Sequence, residues 1–429
     1  MSGTVPDRVS NAATDRVSNA ATDRGRAPAP DRVRDEAPDH VGATDRARDP
    51  FPSHASTPVR GHASTPAPNR LSDTASDHAN TPVPDRRTRA VLPLLGAGVV
   101  AALTCALSLG STPLPPAEVA AVLFGTGDPD PRAAAIVWEV RLPRALTGLL
   151  AGAALGLAGL QMQTLLRNPL AEPYVLGVSS GASLGVALVV LAAGAGGGTF
   201  TAGLVGLGRP GLVLAAAFGA GAVMALILLL ARWTSSVVTL LVIGVMVGSV
   251  VSSVVSILIS YARAEDVQRF VLWGLGSFSA TGWSDLAWFA PVLVAAMLLS
   301  AFLVKPLNAL LLGEAYARTM GVRTSAVRWT VIAVGALLAG TVTAFCGPVA
   351  FLGLAVPHLA RIALRTADHR VLVPGVVLMG GGVAVACGTV AVLPGTGGVL
   401  PLNAVTALVG APIVIGVLLN GRAAKGVNP

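Results

Sequence analysis

From residue 90 to residue 420 the chain runs through ten apolar stretches, and no acidic side chain falls in the interior of any of them. A bilayer core about 30 Å thick is crossed by roughly 20 residues of helix. With no water to satisfy them, the backbone groups of such a stretch must pair within it, so each reads as a helix. The stretches lie near residues 90–110, 145–166, 175–195, 210–231, 237–260, 286–304, 327–346, 349–364, 371–393 and 402–420. The eighth is short and contains Pro357, and only Gly347-Pro348 separates it from the seventh. Charged residues make up 12% of the chain, against about 25% in a typical soluble domain. The expected fold class is an all-α polytopic membrane protein with about ten transmembrane helices.

Residues 1–88 read differently. The octad DRVSNAAT occurs twice without change at 7–14 and 15–22, followed by the looser pair HASTPVRG and HASTPAPN. Almost no large apolar side chain is present to offset the entropy of ordering such a segment, so a disordered, low-complexity N-terminal tail is expected. It is not read as a signal peptide, because the first apolar run begins near Ala90. Translation from a downstream start is the other reading of this segment. The transmembrane domain is expected over 89–425.

Charge divides the same way. Residues 1–85 hold 10 Arg against 12 Asp and Glu, and the rest of the chain 20 Lys and Arg against 10 acids. The excess of positive charge therefore belongs to the apolar part, where it reports topology and not nucleic-acid binding. With the N-terminus inside, 14 basic residues fall in inner connections and 6 in outer ones. Both termini are then cytoplasmic, and the segment from Leu310 to Val322 faces the cytoplasm.

Several chemistries find no residues to perform them. The ten acids beyond the tail all fall in connections or near span ends, whereas an ion-coupled carrier is expected to keep an ion ligand near mid-membrane. Neither lysine, Lys305 before Pro nor Lys425 before Gly, fits a phosphate-cradling loop. Cys105, Cys346 and Cys387 have no partner at metal-ligand spacing, no metal site is expected, and His358 reads as a helix-end hydrogen-bonding group. A membrane-embedded enzyme would need a polar catalytic cluster that the sequence does not offer.

Against this background LLLGEAYARTMGV (310–322) is unusual. Gly313 and Gly321 bracket one short helix and allow the chain to reverse on either side. Glu314 and Arg318 stand four apart and can pair along it, and Ala315 and Ala317 leave a small polar face. Taken alone, a solvated turn reads the same way. The fifth span carries a face of small, weakly polar residues: Gly244, Gly248, Ser249, Ser252, Ser253 and Ser256. Gln161, Gln163 and Asn168, in or at the end of the second span, are expected to hydrogen-bond to neighbouring helices.

Four ordered motifs carry a resemblance. RLPRALTGLLAGAALGLAGLQMQTLLRNPLAEPYVLGVSSGASLG (141–185) is followed by LLLGEAYARTMGV, then by GPVAFLGLAVPHLARIAL with ADHRVLVPG (347–375), then by PLNAVTALVGAPIVIGVLL (401–419). Together they resemble FecCD-type permeases, the membrane subunits of ABC importers for iron–siderophores, haem and cobalamin, over about 90–420.

The resemblance implies ten spans, both ends inside, and a possible inverted repeat of spans 2–5 and 7–10. It implies a bacterial plasma-membrane importer, with a ferric siderophore as the expected cargo and cobalamin or haem as the alternatives. The implied partners are a second permease subunit (a copy or a paralogue), two ABC ATPase subunits carrying ATP and magnesium, and an extracytoplasmic binding protein. No cofactor belongs on this chain.

By the same resemblance Gly313, Glu314, Ala317, Arg318 and Gly321 form the ATPase-coupling loop, and Arg141 and Arg144 meet acids of the binding protein. Gly248, Ser249, Ser252, Ser256 and Asn403 are placed along the pathway. Two features depart from the family: 391–403 lacks a basic residue, and Val399 and Asn403 stand where the common pattern Glu-Leu-Pro-Ile-Gly has Glu and Gly.

Overall fold

A computed structural model describes residues 86–194, 206–230, 233, 237–392 and 399–425. Residues 1–85, which hold nearly all of the expected tail, lie outside these. Among the described residues there are helices and no strands. They are α1 (Arg86–Ser108), α2 (Pro116–Phe124), α3 (Pro131–Leu165), α4 (Val178–Gly194), α5 (Arg209–Leu230), α6 (Val237–Tyr261) and α7 (Ala264–Gly274). There follow α8 (Trp283–Phe302), α9 (Val304–Leu311), α10 (Glu314–Thr319), α11 (Thr324–Cys346), α12 (Leu352–Leu364), α13 (His369–Val390) and α14 (Leu402–Lys425).

Within α1, α3, α5, α6, α8, α11 and α13 the chain is long and apolar enough to cross a bilayer, while α4, α12 and α14 hold shorter apolar segments. All ten coincide with the apolar stretches of the sequence. The protein is an all-helical polytopic membrane protein.

Helix α3 is the axis of the molecule. At 35 residues it is about 52 Å long, well beyond a hydrocarbon core, and it contains a π-helical turn at Ile136–Arg141. Every residue from Ala151 to Leu165 is buried, because α11, α12 and α13 pack around it. A helix with no exposed side in this stretch can be apolar all round, which is why it lacks an amphipathic pattern.

Small residues let these helices approach to backbone contact. A Cβ placed on Gly152 would lie 2.1 Å from the Gly380 carbonyl oxygen, and one on Gly159 would lie 1.8 Å from that of Gly353. The α4–α5 pair repeats the device, with a Cβ on Gly185 falling 1.9 Å from the Ala215 carbonyl. Lipid tails give apolar helices little reason to associate, so contact area and close backbone approach have to supply it.

The helix contacts come in matched sets. α3 packs on α13 as α11 packs on α5, α4 on α5 as α12 on α13, and α4 on α6 as α12 on α14. Each pair maps onto its mate when spans 2–5 are laid on spans 7–10, which is the pairing an internal repeat gives.

Helix α12 begins deep inside the bundle. Gly353 lies against both Leu155 and Gly159 of α3, with Pro173 pressed on its other side. The connection 166–177 thus folds back along α3, which places Glu172 beside the start of α12. The sequence reading set all acids in connections or near span ends; this connection is re-entrant, and it carries its acid to the level of the core helices.

Candidate functional site

The short helix α10 stands between Gly313 at φ 116° and Gly321 at φ 80°, conformations that side chains rarely adopt. Glu314 Oε1 accepts from Arg318 at 2.8 Å and from Arg328 at 3.4 Å, and Arg318 Nε reaches Thr324 Oγ1 at 3.3 Å. The hydrogen bond from Arg318 holds the Glu314 carboxyl below the usual carboxylate range. The expected pairing of Glu314 with Arg318 along the helix is present. Glu314 is bound by its own loop, and Ala317 is fully buried as the foot of the helix. The loop exposes Leu311, Leu312, Tyr316 and Met320, with Leu312 65% and Met320 59% exposed, beside the Arg318 side chain at 66%.

A pH prediction follows for this loop. A carboxyl whose folded pKa lies below its unfolded value of about 4.3 contributes stability in full above that value and loses it as pH falls through the folded pKa. Hydrogen exchange over 314–322, compared between wild type and Glu314→Gln, is therefore expected to show a constant difference from pH 6 to 8. The difference should vanish in acid.

At the far end of α3 the two arginines are not free. Arg141 is 7% exposed and donates to the carbonyls of Leu107 at 2.6 Å, Ser108 at 3.0 Å and Thr112. These include the last carbonyls of α1, which have no partner within their own helix. Arg144 is partly buried and donates to the Gly388 carbonyl of α13. Of the two residues expected to meet a partner's acids, Arg141 ties off the end of α1 in this chain. Arg144 keeps an edge on the small cavity it lines with Ser277, Phe278, Val399 and Leu400.

An open groove of about 470 Å³ runs along α6, lined by Tyr174, Gly177, Ser180, Gly244, Val245, Gly248, Ser249 and Ser252. Along α6 three serine hydroxyls bond the carbonyl one turn back: Ser249, which lines the groove, to Val245 O, and Ser253 and Ser256 beside it to Ser249 O and Ser252 O, at 2.9–3.0 Å. Ser256 is exposed one turn beyond the groove.

Behind the Tyr174 wall lies a cluster that the sequence reading missed. Three consecutive amides ahead of α12 each donate to a side chain from elsewhere. Val349 N–H reaches the Tyr174 hydroxyl at 3.5 Å, Ala350 N–H reaches Asn403 Oδ1 at 2.9 Å, and Phe351 N–H reaches Glu172 Oε1 at 3.0 Å. Phe351 itself is left-handed at φ 67°, a conformation that costs energy and needs such support. Asn403 also donates to the Gly274 carbonyl at 3.1 Å. Asn403 is not among the residues lining the α6 groove, and both of its polar ends tie α14 to the turn before α12 and to the end of α7.

The glutamines divide. Gln163 donates to Leu354 O at 3.2 Å and accepts from Arg361 at 2.6 Å, as expected of a polar tie between helices. Gln161 is buried with neither side-chain polar atom hydrogen-bonded. Asn168 caps its own turn by accepting from Leu170 N at 2.9 Å.

Comparison with known proteins decides the family. The model of the FecCD transport family matches residues 98–420. The chain belongs to the FecCD transport family. Among this FecCD chain's relatives is the vitamin B12 import system permease protein BtuC of Escherichia coli O9:H4 (strain HS), 36% identical over 295 residues, which cover 68% of this chain and 86% of the relative. Another is YvrB of Bacillus subtilis (strain 168), an uncharacterized ABC transporter permease protein, 33% identical over 341 residues, 78% of this chain and 95% of YvrB. A solved metal-chelate type ABC transporter in an inward-facing conformation superposes with a TM-score of 0.65 at 29% identity, over 78% of this chain and 99% of its own.

The amide cluster makes the departure of this FecCD chain at Asn403 intelligible. Where the common pattern has Gly, Asn supplies a side chain that bridges two segments. The only signal for it in the sequence was that departure. Glu172→Ala is expected to lower the melting temperature of the purified permease by several degrees, since a buried N–H is left unsatisfied at about 1–3 kcal/mol. Glu172→Gln, which keeps the accepting oxygen, should recover most of the loss. Equal losses in the two variants would show that the carboxylate acts through its charge and not as an acceptor.

Proposed function

We propose that this permease subunit moves a bulky metal chelate inward, driven by ATP hydrolysis on separate ATPase subunits that seat on α10. The observation that carries the reading is the α10 loop. Its glycine hinges, buried Ala317 and internally paired Glu314 make a rigid stub, and its exposed side chains Leu312, Tyr316 and Met320 have no role in the fold of this chain. An apolar knob of this kind fits a cleft on a soluble partner. The excess of basic residues on the same side of the bundle supports a cytoplasmic position for the loop and for both termini.

The open α6 groove supports a pathway shared with a second permease subunit, whether a copy of this chain or a paralogue, facing it across α6. An extracytoplasmic binding protein would deliver the cargo at the Arg144 end. There the contact rests on Arg144 and on backbone groups, because Arg141 is committed to α1 and the stretch before α14 brings no basic residue. ATP and magnesium belong to the ATPase subunits.

For the cargo, the relative at 36% identity named for vitamin B12 import favours a corrinoid over the ferric siderophore expected from the motifs. Uptake of radiolabelled cyanocobalamin and of a radio-iron siderophore is compared in a deletion strain carrying the native operon or lacking this gene. Gene-dependent cobalamin uptake is the expected result. Gene-dependent uptake of the siderophore alone would reverse the assignment within the same mechanism.

A further inference from the structure

Between the proposed docking helix α10 and the bundle stands α9, and one of its side chains is engaged three times. Asn308 Nδ2 donates to Asp368 Oδ1 at 2.6 Å, and its Oδ1 accepts from the His369 backbone N–H at 2.9 Å. The same oxygen lies 2.8 Å from His369 Nδ1. The other ring nitrogen, Nε2, is 2.9 Å from Thr164 Oγ1 on α3. His369 is 1% exposed and its bond to Thr164 is buried, while the bonds at Asn308 and Asp368 are part-buried.

The protons can be placed. The Asp368 carboxylate fixes the Asn308 amide with its NH₂ outward, leaving its oxygen toward His369. An amide oxygen only accepts, so Nδ1 must carry the hydrogen. In a neutral imidazole Nε2 then accepts, and the donor facing it is the Thr164 hydroxyl. To donate there, Thr164 turns from its other neighbour, the Leu160 carbonyl at 2.9 Å. The result is one directed chain, Thr164 to His369 to Asn308 to Asp368, with every donor matched to an acceptor. It joins the last turn of α3, the first turn of α13, and α9.

The location gives the chain a use. Leu307 and Leu310 of α9 are buried against the bundle, and only Leu312 and Gly313 separate α9 from α10. A force applied at α10 has two ways into the bundle. One runs forward through the Glu314–Arg328 and Arg318–Thr324 contacts to α11. The other runs back through α9, a two-turn strut held to the core by Asn308 and by Arg167 on the Leu310 carbonyl at 3.5 Å. α3 and α13 are also the pair joined by backbone contact at Gly152 and Gly380, so a displacement reaching one moves both.

We infer that Asn308 and His369 are positioning residues that transmit displacement of the docking segment into α3 and α13, with Thr164 as the receiving contact. This rests on the reading that an ATPase seats on α10.

The test uses the full complex, purified through its ATPase and reconstituted in liposomes, so that no cargo need be known. With Cys105 replaced by Ala, a Ser252→Cys reporter in the α6 groove is labelled with a maleimide, without nucleotide and after trapping with ATP and vanadate. Nucleotide should change the labelling rate at least about fivefold, the lower end of ordinary coupling energies. In Asn308→Ala, and in the near-isosteric Thr164→Val, the ATPase should still co-purify and hydrolyse ATP at close to the wild-type rate. The nucleotide effect on labelling should shrink to less than about twofold, the mark of lost coupling.

Variants that keep the full nucleotide effect would overturn the inference. So would variants that lose hydrolysis and labelling response together, which is what a merely structural role predicts. Failure of the ATPase to co-purify with the unaltered chain would instead overturn the docking reading itself, and this inference with it.

Discussion

Leu312→Asp and Met320→Asp are each expected to release the ATPase subunits from the permease and leave the permease folded. Both side chains are more than half exposed in the isolated chain, so a carboxylate there stays hydrated and costs the fold little. In an occupied cleft the same carboxylate would be stripped of water with no cation to meet it. An uncompensated buried charge costs about 3–5 kcal/mol, which is about two to three and a half orders of magnitude in affinity. Co-purification of the ATPase through a tag on the permease should fall to background, while yield and melting temperature of the permease stay at wild-type values. Glu314→Gln is the useful contrast. It weakens the internal ties of the loop but puts no charge in the cleft, and a reduced yet measurable association is expected. If Leu312→Asp and Met320→Asp bind the ATPase normally, the exposed face of α10 is not the docking surface.

The second large effect concerns folding. Gly159→Ala would place a methyl group 1.8 Å from the Gly353 carbonyl oxygen, and the obstacle is backbone, not a side chain that could swing away. Overpacking of this kind typically costs about 1–3 kcal/mol, and more where backbone must move. Here α12 would have to slide off α3 and take with it the turn held by Glu172, Tyr174 and Asn403. Thermal unfolding in detergent should begin many degrees lower, with little folded protein recovered. Gly221→Ala on α5 is the control: nothing lies within 4 Å of the added carbon, and unchanged stability is expected. Similar stability of the two variants would mean that the α3–α12 contact is looser than backbone packing.

Much of the fold was legible in the sequence because lipid leaves few options. Each apolar stretch had to be a helix, and among the described residues all ten lie in helices, three of them with shorter apolar segments. The re-entrant course of 166–177 was not legible. Glu172 sits in a polar, proline-containing connection that reads as a surface loop, and only packing against Gly353 and Leu155 shows how deep it lies. Hydropathy counts residues along the chain; it does not report a chain that turns back.

The candidate site was legible in outline for a related reason. Gly313 and Gly321 announce a short bracketed helix, because positive φ has a clear residue preference. Which face that helix shows was not legible. Ala317 and Tyr316 are one residue apart, and in so short an element no periodicity says which points inward. The bonds of Arg141 were not legible either: nothing in its sequence neighbourhood says that the open carbonyls at the end of α1 take its guanidinium. Asn308 and His369 carry no signal of their own in the sequence, since a buried relay is defined by three-dimensional proximity between elements about 60 residues apart.

The most direct test of an ATP-driven permease is chelate uptake by the reconstituted complex, with binding protein outside, ATP enclosed with the ATPase subunits, and no ion gradient. Accumulation of cyanocobalamin or the ferric siderophore that needs hydrolysable ATP and stops in Leu312→Asp is the predicted result. Uptake that ignores ATP and follows an imposed proton gradient would contradict it.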